Sequence, residues 1–156
     1  MSSLAILGNT IPATTQEAID RVIAVENRIR EHEQAKIKTE HIFHAGMYIR
    51  TVRLEKYTVF TSVLIKVPTL VIVNGNCDLF AGDQWVRLEG YNVVPANAGR
   101  KGIYVTRSAV DITMIFPSNA KTVEAAEAQF TNEANCLLSR TQSDDTVIFT
   151  EALCLE

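Results

Sequence analysis

The sequence lacks the features that mark membrane-spanning, secreted and disulfide-rich proteins. No apolar run approaches the roughly 18 residues that a membrane-spanning helix needs. The first residues hold no basic segment ahead of an apolar one, which disfavours a signal peptide and predicts a cytoplasmic location. Cys77, Cys136 and Cys154 are an odd number of cysteines, lie far apart and lack metal-ligand spacing. We therefore expect reduced thiols.

Signatures of catalysis are also missing. The sequence contains no G-x-S-x-G element and no phosphate-binding P-loop, and nothing in it places Glu55 beside Glu89 for acid–base work. His41 and His44 are three residues apart on a predicted strand, so their side chains point to opposite faces. We expect structural hydrogen bonds from these two histidines, and for His32 only a favourable place at a helix end.

Charge is distributed unevenly along a chain of ordinary composition. The 156 residues are 47% apolar and 21% charged, which suits one soluble domain over residues 1–156. Residues 38–117 hold nine Lys or Arg and six Asp or Glu, a charge of +3, whereas the flanks carry −6. This pattern disfavours general nucleic-acid binding and favours a small anionic ligand held in the middle of the chain.

Helical periodicity appears at both ends of the chain. Thr14 and Glu17 have capping-box spacing, and apolar residues then recur at helical intervals, which predicts a helix over residues 15–32. Thr122 is a plausible N-cap for a second amphipathic helix over residues 122–140. Residues 141–156 form a tail with a polar hinge and a short β-like run.

The middle of the chain has a period of two instead. Residues 47–54 alternate apolar and polar side chains, as a half-buried strand does, and turn signals recur at short intervals after them. Pro68 marks a bend or an edge between two β-branched runs. About eight short strands over residues 40–116, without a helix between them, predict a mainly β barrel or sandwich.

Three segments of the barrel region resemble a known family. Residues 71–80, V-I-V-N-G-N-C-D-L-F, resemble the end of the first motif of the cupin superfamily, and residues 90–95, G-Y-N-V-V-P, resemble the second. Residues 40–139 more narrowly resemble small cupin-like proteins of tailed phages and prophages. The resemblance implies a cupin-like jelly-roll barrel, here with an N-terminal and a C-terminal amphipathic helix.

The resemblance also implies a metal site, and the sequence departs from it there. Active cupins usually supply two His and a Glu from the first motif and one His from the second. Residues 58–73 contain no His, Glu or Asp, and the second-motif His position falls at about Arg100, with Lys101 beside it. Both side chains are protonated donors without a lone pair. We therefore expect no metal and no other cofactor at the usual cupin position.

The best candidate for a binding function is the turn that ends in Gly99-Arg100-Lys101. Two cations beside a glycine turn favour a phosphate or carboxylate, although a solvated surface turn is an equal alternative. Inward-pointing arginines would need an anion, and tyrosines at a barrel mouth could stack on a flat ligand, although they suit a core or an interface better. The candidate ligand-binding residues are Arg100, Lys101, Tyr48, Arg50, Arg53, Tyr91 and Tyr104.

Three functions fit these observations. The first is a metal-free, non-enzymatic protein that binds a small anionic, nucleotide-like ligand, in the sharper form a phage protein that sequesters a signal of host defence. The second is a structural or assembly protein of a phage particle, since cupin-like barrels associate through edge strands and a homo-oligomer is expected. The third is a cupin-type enzyme with atypical metal ligands, or a metal-free isomerase.

Overall fold

The computed structural model describes residues 4–142 and 144–150. These residues form ten strands and two α-helices, and the strands lie mainly where the sequence has a period of two. The strands are β1 (Lys38–His44), β2 (Met47–Leu54), β3 (Val59–Thr61), β4 (Thr69–Asn74), β5 (Cys77–Ala81), β6 (Gln84–Leu88), β7 (Tyr91–Ala96), β8 (Ile103–Thr106), β9 (Val110–Pro117) and β10 (Asp145–Phe149). The helices are α1 (Gln16–Ile29) and α2 (Val123–Phe130).

Strands β2 to β9 form a jelly roll. The first of them pairs with the last, and the pairing continues inwards as β3 with β8, β4 with β7 and β5 with β6. The strands divide into two sheets, ordered β10-β1-β2-β9-β4-β7 and β3-β8-β5-β6. This nested antiparallel order over eight strands is the double Greek key of the jelly roll. The predicted mainly β, jelly-roll class is confirmed.

Alternation along the strands divides each sheet into an inner and an outer face. In β9, Val110, Ile112, Met114 and Phe116 are buried, whereas the residues between them are partly exposed. The buried side chains of both sheets face each other and form the main core. The predicted run over residues 57–67 is strand only at Val59–Thr61, and the chain bends through residues 62–68 before β4 begins.

Helix α1 packs on the outer face of the four-stranded sheet. Its Ala18 and Val22 are fully buried against Phe80 and Ile103. The helix ends at Ile29, three residues before the predicted boundary at residue 32. Thr15 caps it by accepting a hydrogen bond from the Ala18 backbone N–H at 3.2 Å.

The capping box was therefore assigned to the wrong threonine. The Thr14 hydroxyl instead donates to the Lys101 carbonyl at 3.1 Å and accepts from the Lys101 N–H at 2.8 Å. The two threonines are adjacent and chemically equal, so only the tertiary contact with the barrel decides which of them caps the helix.

Helix α2 is shorter than the sequence predicts. It begins after Thr122, as expected, but ends at Phe130, and residues 134–136 and 138–140 form two short 3-10 turns. The Thr131 backbone is extended, and its hydroxyl donates to the Leu64 carbonyl at 2.7 Å, while the Glu133 carboxylate accepts from the Leu64 N–H at 3.0 Å. These bonds hold the chain against residues 62–68 and prevent a continuous helix.

The β-like run of the tail forms β10, which pairs in parallel with β1. The rest of the tail from residue 151, including Cys154, lies outside the described residues. Within the described residues, no helix combines the length and the apolar character needed to cross a bilayer.

Candidate binding cavity inside the barrel

A cavity of about 580 Å³ lies between the two sheets. This volume is within the range of small-molecule sites in proteins, roughly 300–1,000 Å³. Its wall is mostly apolar and comes from inward-facing positions of both sheets and from the segments that close the barrel. The apolar lining residues include Ile11, Val52, Ile65, Val71, Leu79, Ile112, Met114 and Leu138.

Arg100 lines this cavity and is only 6% exposed. The turn before it ends at Gly99, whose φ of 81° favours glycine, and Arg100 then bridges to Ile65 on the opposite chain segment. Its guanidinium donates to the Thr69 hydroxyl at 2.6 Å, to the Asn97 carbonyl at 3.0 Å and to the Val67 carbonyl at 3.4 Å. Of the two alternatives that the sequence left open, the solvated surface turn is therefore wrong for Arg100, which is a buried residue of the cavity wall.

The Arg100 charge has no carboxylate partner in the described part of the chain. None of the ion pairs found there includes this residue. Burial without a counter-ion lowers the pKa of the guanidinium from its ordinary value, although an arginine remains protonated at neutral pH. A buried cation of this kind is favourable only when an anion or several acceptors approach it.

Tyr104 lies in the same wall, on β8, and is 8% exposed. Burial raises the pKa of its hydroxyl to about 12, so the group is neutral and can donate a proton in a hydrogen bond. Its ring contacts Phe60. Within residues 4–142 and 144–150, the structure contains no hydrogen bond to the Tyr104 hydroxyl, which leaves this donor available at the cavity.

Lys101 also reaches the cavity wall, but its charge is used within the protein. The ammonium donates to the Glu26 carboxylate at 2.7 Å and to the Ser62 carbonyl at 2.9 Å, and Glu133 lies 3.7 Å away. These contacts join helix α1 to the barrel. Lys101 is therefore a structural cation that fixes the helix over one end of the cavity, and not the second free charge that the sequence predicts.

Arg50 points inward from β2 and lines the cavity as well, but it is neutralised by the chain. It donates to Glu127 at 2.9 Å and to the Ser139 hydroxyl at 3.0 Å, and its guanidinium lies over the Phe130 ring. Glu127 also accepts from Arg140 at 2.7 Å. Burial alone raises the pKa of Glu127, but hydrogen bonds from Arg140 and Arg50 outweigh it and lower that pKa.

Tyr48 does not line the cavity and belongs to the core beside this ion cluster. Its hydroxyl lies 2.7 Å from His41 Nδ1 and 3.3 Å from the Arg50 guanidinium, and burial raises its pKa to about 12. His41 Nε2 lies 3.0 Å from Asp145 on the tail strand. His41 thus has the structural role that the sequence predicts, and Tyr48 is not a stacking platform at a barrel mouth.

Arg53 and Tyr91 lie on the outer face of the six-stranded sheet, away from the cavity. Arg53 pairs with Asp111 at 2.7 Å and Glu40 at 3.0 Å, and Tyr91 is 65% exposed. Strand alternation could have placed Arg53 correctly, because it differs from Arg50 by an odd number of positions on β2 and so faces the other side. For Tyr91 the strand register was not readable from the sequence.

The donors at the cavity do not fit the metal that the cupin resemblance implies. The described residues contain no group of three His, Cys, Asp or Glu side chains that could hold a metal ion. Arg50, Arg100 and Lys101 are cations of the cavity wall and have no lone pair for a metal ion, while Glu26 and Glu33 are the acids of the same wall. The described residues of the wall therefore do not form the set of ligands that a metal centre of the usual cupin kind would need.

Sequence reasoning missed two groups of residues at the site. Thr69 and the carbonyls of residues 67 and 97 hold the Arg100 guanidinium, and Glu127 neutralises Arg50. Glu127 gave one signal: it lies on the same helix face as Ala126 and Phe130, where an unpaired acid would be costly. Nothing local indicated which cation would pair with it.

Comparison with known proteins adds information about the fold. No protein-family profile matches the chain. No curated protein sequence matches it either. Solved structures with a similar arrangement include a cupin domain of an XRE family transcriptional regulator from Enterobacter cloacae, with a TM-score of 0.45, 14% identity, and coverage of 53% of this chain and 99% of that domain.

Two further structures show the same likeness. A cupin superfamily protein from Desulfitobacterium hafniense has a TM-score of 0.45 and 12% identity, over 56% of this chain and 83% of that one. Salicylate 1,2-dioxygenase from Pseudoaminobacter salicylatoxidans has a TM-score of 0.46 and 15% identity, over 78% of this chain and 37% of that one. The nested strand pairs identify the chain as a jelly-roll protein, and these structures share its general arrangement.

Proposed function

We propose that this protein is a non-enzymatic binding protein that holds a small molecule with one anionic group inside its barrel. The observation that carries the proposal is Arg100, a buried residue of the cavity wall whose guanidinium has no carboxylate partner in the described residues. Each other cation of the cavity that the sequence singled out has an acid within the chain: Glu26 for Lys101 and Glu127 for Arg50.

Arg100 has donors left for a ligand. A guanidinium carries five N–H groups, and the acceptors around this one are the Thr69 hydroxyl and two backbone carbonyls. Two N–H groups therefore remain, which suits the two oxygens of a carboxylate or phosphate. The Tyr104 hydroxyl supplies a further neutral donor in the same wall.

The rest of the cavity selects for an apolar body. Its wall is built mainly of aliphatic side chains from both sheets, and a ligand carrying several charges would bury most of them without a partner. This favours a compact monoanion, such as an aromatic or branched aliphatic carboxylate or a phosphate monoester. A nucleotide-like signal of host defence, sequestered by a phage protein in the cytoplasm, is the narrower hypothesis, and it requires a ligand with one phosphate near Arg100.

Thermal unfolding with a panel of small anions tests the proposal, because a ligand that binds the native state raises the melting temperature. The probes are benzoate, 4-methylpentanoate, phenyl phosphate, nucleoside monophosphates and cyclic dinucleotides, each at a concentration series. Benzamide and 4-methylpentanamide are neutral counterparts of the two carboxylates. We expect at least one anion to raise the melting temperature while its neutral counterpart does not.

The variant Arg100→Met should remove the shift, since it keeps the length of the side chain and loses the charge. Arg87→Met is the matched control, because Arg87 lies on β6 with an exposed guanidinium paired to Asp78 at 2.9 Å. Equal shifts in Arg100→Met and in the unmodified protein would show that Arg100 does not hold the anion. Shifts with nucleotides alone would favour the narrower hypothesis, and no shift with any probe would contradict the proposal.

A further inference from the structure

The outer face of the six-stranded sheet carries apolar side chains in register across all six strands. Ile42 on β1 pairs with Ile49 on β2, Ile49 with Ile115 on β9, and Ile115 with Leu70 on β4. On the two edge strands, Ile148 of β10 pairs with Ile42, and Pro95 of β7 pairs with Leu70. We call these six residues the apolar row: Ile148, Ile42, Ile49, Ile115, Leu70 and Pro95. Antiparallel sheets with one solvated face normally alternate to polar residues there.

No described element covers this face. Helix α1 packs against Phe80 and Ile103 of the other sheet, and helix α2 packs into the core cluster of Phe43 and Tyr48. The outer faces of the two sheets thus differ. A helix covers the face of the four-stranded sheet, whereas no element within residues 4–142 and 144–150 covers the face of the six-stranded sheet. An uncovered apolar patch that crosses a whole sheet indicates an interaction surface.

The exposed fractions on the β4–β7 side show how open the face is. Leu70 is 38% exposed, Val93 is 49% exposed and Tyr91 is 65% exposed. Val93 lies opposite Ile72, in the row adjacent to the apolar row. The apolar surface therefore widens towards β7.

Charges on this face cancel. Arg53 pairs with Glu40 at 3.0 Å and with Asp111 at 2.7 Å, and Lys38 lies opposite Arg53 in the register. These two basic and two acidic residues occupy one end of the face and sum to zero. A partner with a strong charge of either sign gains nothing here, whereas an identical neutral face can approach without repulsion.

The area also suits a second copy. Six strands about 4.8 Å apart and five to eight residues long, at about 3.3 Å per residue, give a face of roughly 600 Å². A stable interface of standard size buries about 800 Å² on each partner. One such face supplies about three quarters of that area on each partner, and the segments around the sheet would supply the rest.

We propose that this face is a dimer interface, in which two copies of the chain stack their six-stranded sheets face to face. A two-fold axis near Ile115 brings the apolar row of one copy onto that of the other, as an isologous interface requires. Sheets packed in this way lie about 10 Å apart, with strand directions about 30° apart. The interface uses the sheet face and not the edge strands, so the two cavities remain separate.

Sedimentation velocity of the full chain over a concentration series tests the proposal. We expect the unmodified protein to sediment with the mass of two chains at micromolar concentration. Leu70→Lys places a charge in the apolar row, and we expect it to weaken dimerisation at least tenfold. Val93→Lys is a second variant at a more exposed position of the same face, so one of the two can replace the other if its circular dichroism shows a folding defect.

Val59→Lys is the matched control, because Val59 is a 45% exposed strand residue on the other sheet. It should dimerise like the unmodified protein. A monomeric unmodified protein overturns the proposal, and so does a dimer that both lysine variants on the outer face leave intact. Equal weakening by Val59→Lys also overturns it, since association would then run through a different surface.

Discussion

Arg50 and Arg100 are two buried arginines in the wall of one cavity, and their surroundings differ in one respect. Arg50 has a carboxylate, Glu127, at 2.9 Å, whereas the partners of Arg100 in the part of the chain that the structure describes are a hydroxyl and backbone carbonyls. Burial removes both guanidinium groups from water, which is unfavourable. Among the described residues, only Arg50 has an opposite charge beside it that offsets this cost. The comparison separates a structural cation from one that is available to a ligand.

The largest expected effect concerns stability and tests the structural role of the Arg50–Glu127 ion pair. Glu127→Gln leaves Arg50 buried without its counter-ion and removes the partner of Arg140 as well. We expect a loss of about 3–5 kcal/mol in the free energy of unfolding, measured by urea denaturation. Glu124→Gln, at an exposed position of the same helix, should change it by less than about 0.5 kcal/mol. Similar values for the two variants would mean that the ion cluster is not structural.

A direct comparison of the two arginines comes next. Arg50→Met leaves Glu127 buried with Arg140 alone, whereas Arg100→Met leaves hydroxyl and carbonyl groups and removes a charge that no acid neutralises. We expect Arg50→Met to destabilise the protein by about 2 kcal/mol more than Arg100→Met, in the same urea assay. The reverse order would show that Arg100 is the more important of the two for folding.

A smaller effect concerns pH and the core beside Arg50. Burial lowers the pKa of His41 from 6.5, although its bond to Asp145 and the charge of Glu127 act in the opposite direction and the charge of Arg50 adds to the lowering. The unfolded chain therefore binds a proton before the folded one does, so stability is greatest above about pH 6.5 and falls as the pH decreases below it.

We expect the free energy of unfolding of the unmodified protein to fall between pH 7 and pH 5. His41→Gln should flatten this part of the profile, because glutamine does not titrate. The loss at lower pH, where Glu127 is protonated, should persist in the variant, since the lowered pKa of Glu127 contributes stability only above that pKa. An unchanged slope between pH 7 and pH 5 would assign the effect to other groups.

The smallest expected effect concerns the affinity of the cavity for an anion, the role that we propose for Arg100. Tyr104→Phe removes a hydroxyl that has no partner in the described residues, so we expect a change in stability within about 0.5 kcal/mol. The affinity for an anion identified in the thermal panel should fall by a factor of about 2–10, the value of one neutral hydrogen bond. Tyr91→Phe, at a 65% exposed position on the outer face of the six-stranded sheet, is the control and should leave the affinity unchanged.

Much of the barrel was predictable because strand alternation reports burial directly. Residues 47–54 and 110–117 alternate in sequence and in the structure, and the turn signals near Gly75 and Gly82 separate real strands. The helix over residues 122–140 was overpredicted for the opposite reason. The sequence there does have an apolar stripe at helical spacing, but Thr131 and Glu133 form hydrogen bonds with Leu64. Such long-range contacts cannot be recognised from the periodicity of the sequence.

The site was predicted in part. Arg100 and Tyr104 both line the cavity, whereas the sequence left a surface turn equally open for Arg100 and favoured a core or interface role for Tyr104. Lys101 and Arg50 also reach the wall, but the sequence could not show that Glu26 and Glu127 would neutralise them, since these acids lie 75 and 77 residues away along the chain. Counting charges along a segment therefore overestimated the free positive charge of the cavity.

The amino-acid sequence alone determined the fold class. Period-two burial builds the two sheets, and residues 58–73 contain no His, Glu or Asp that could serve as a metal ligand. Within the described residues, the tertiary structure alone decided which cation has no acid beside it and which sheet face has no element over it. Both depend on the pairing of groups that are distant in the chain, and an ion pair or a covering helix forms only when the fold brings such groups within contact distance.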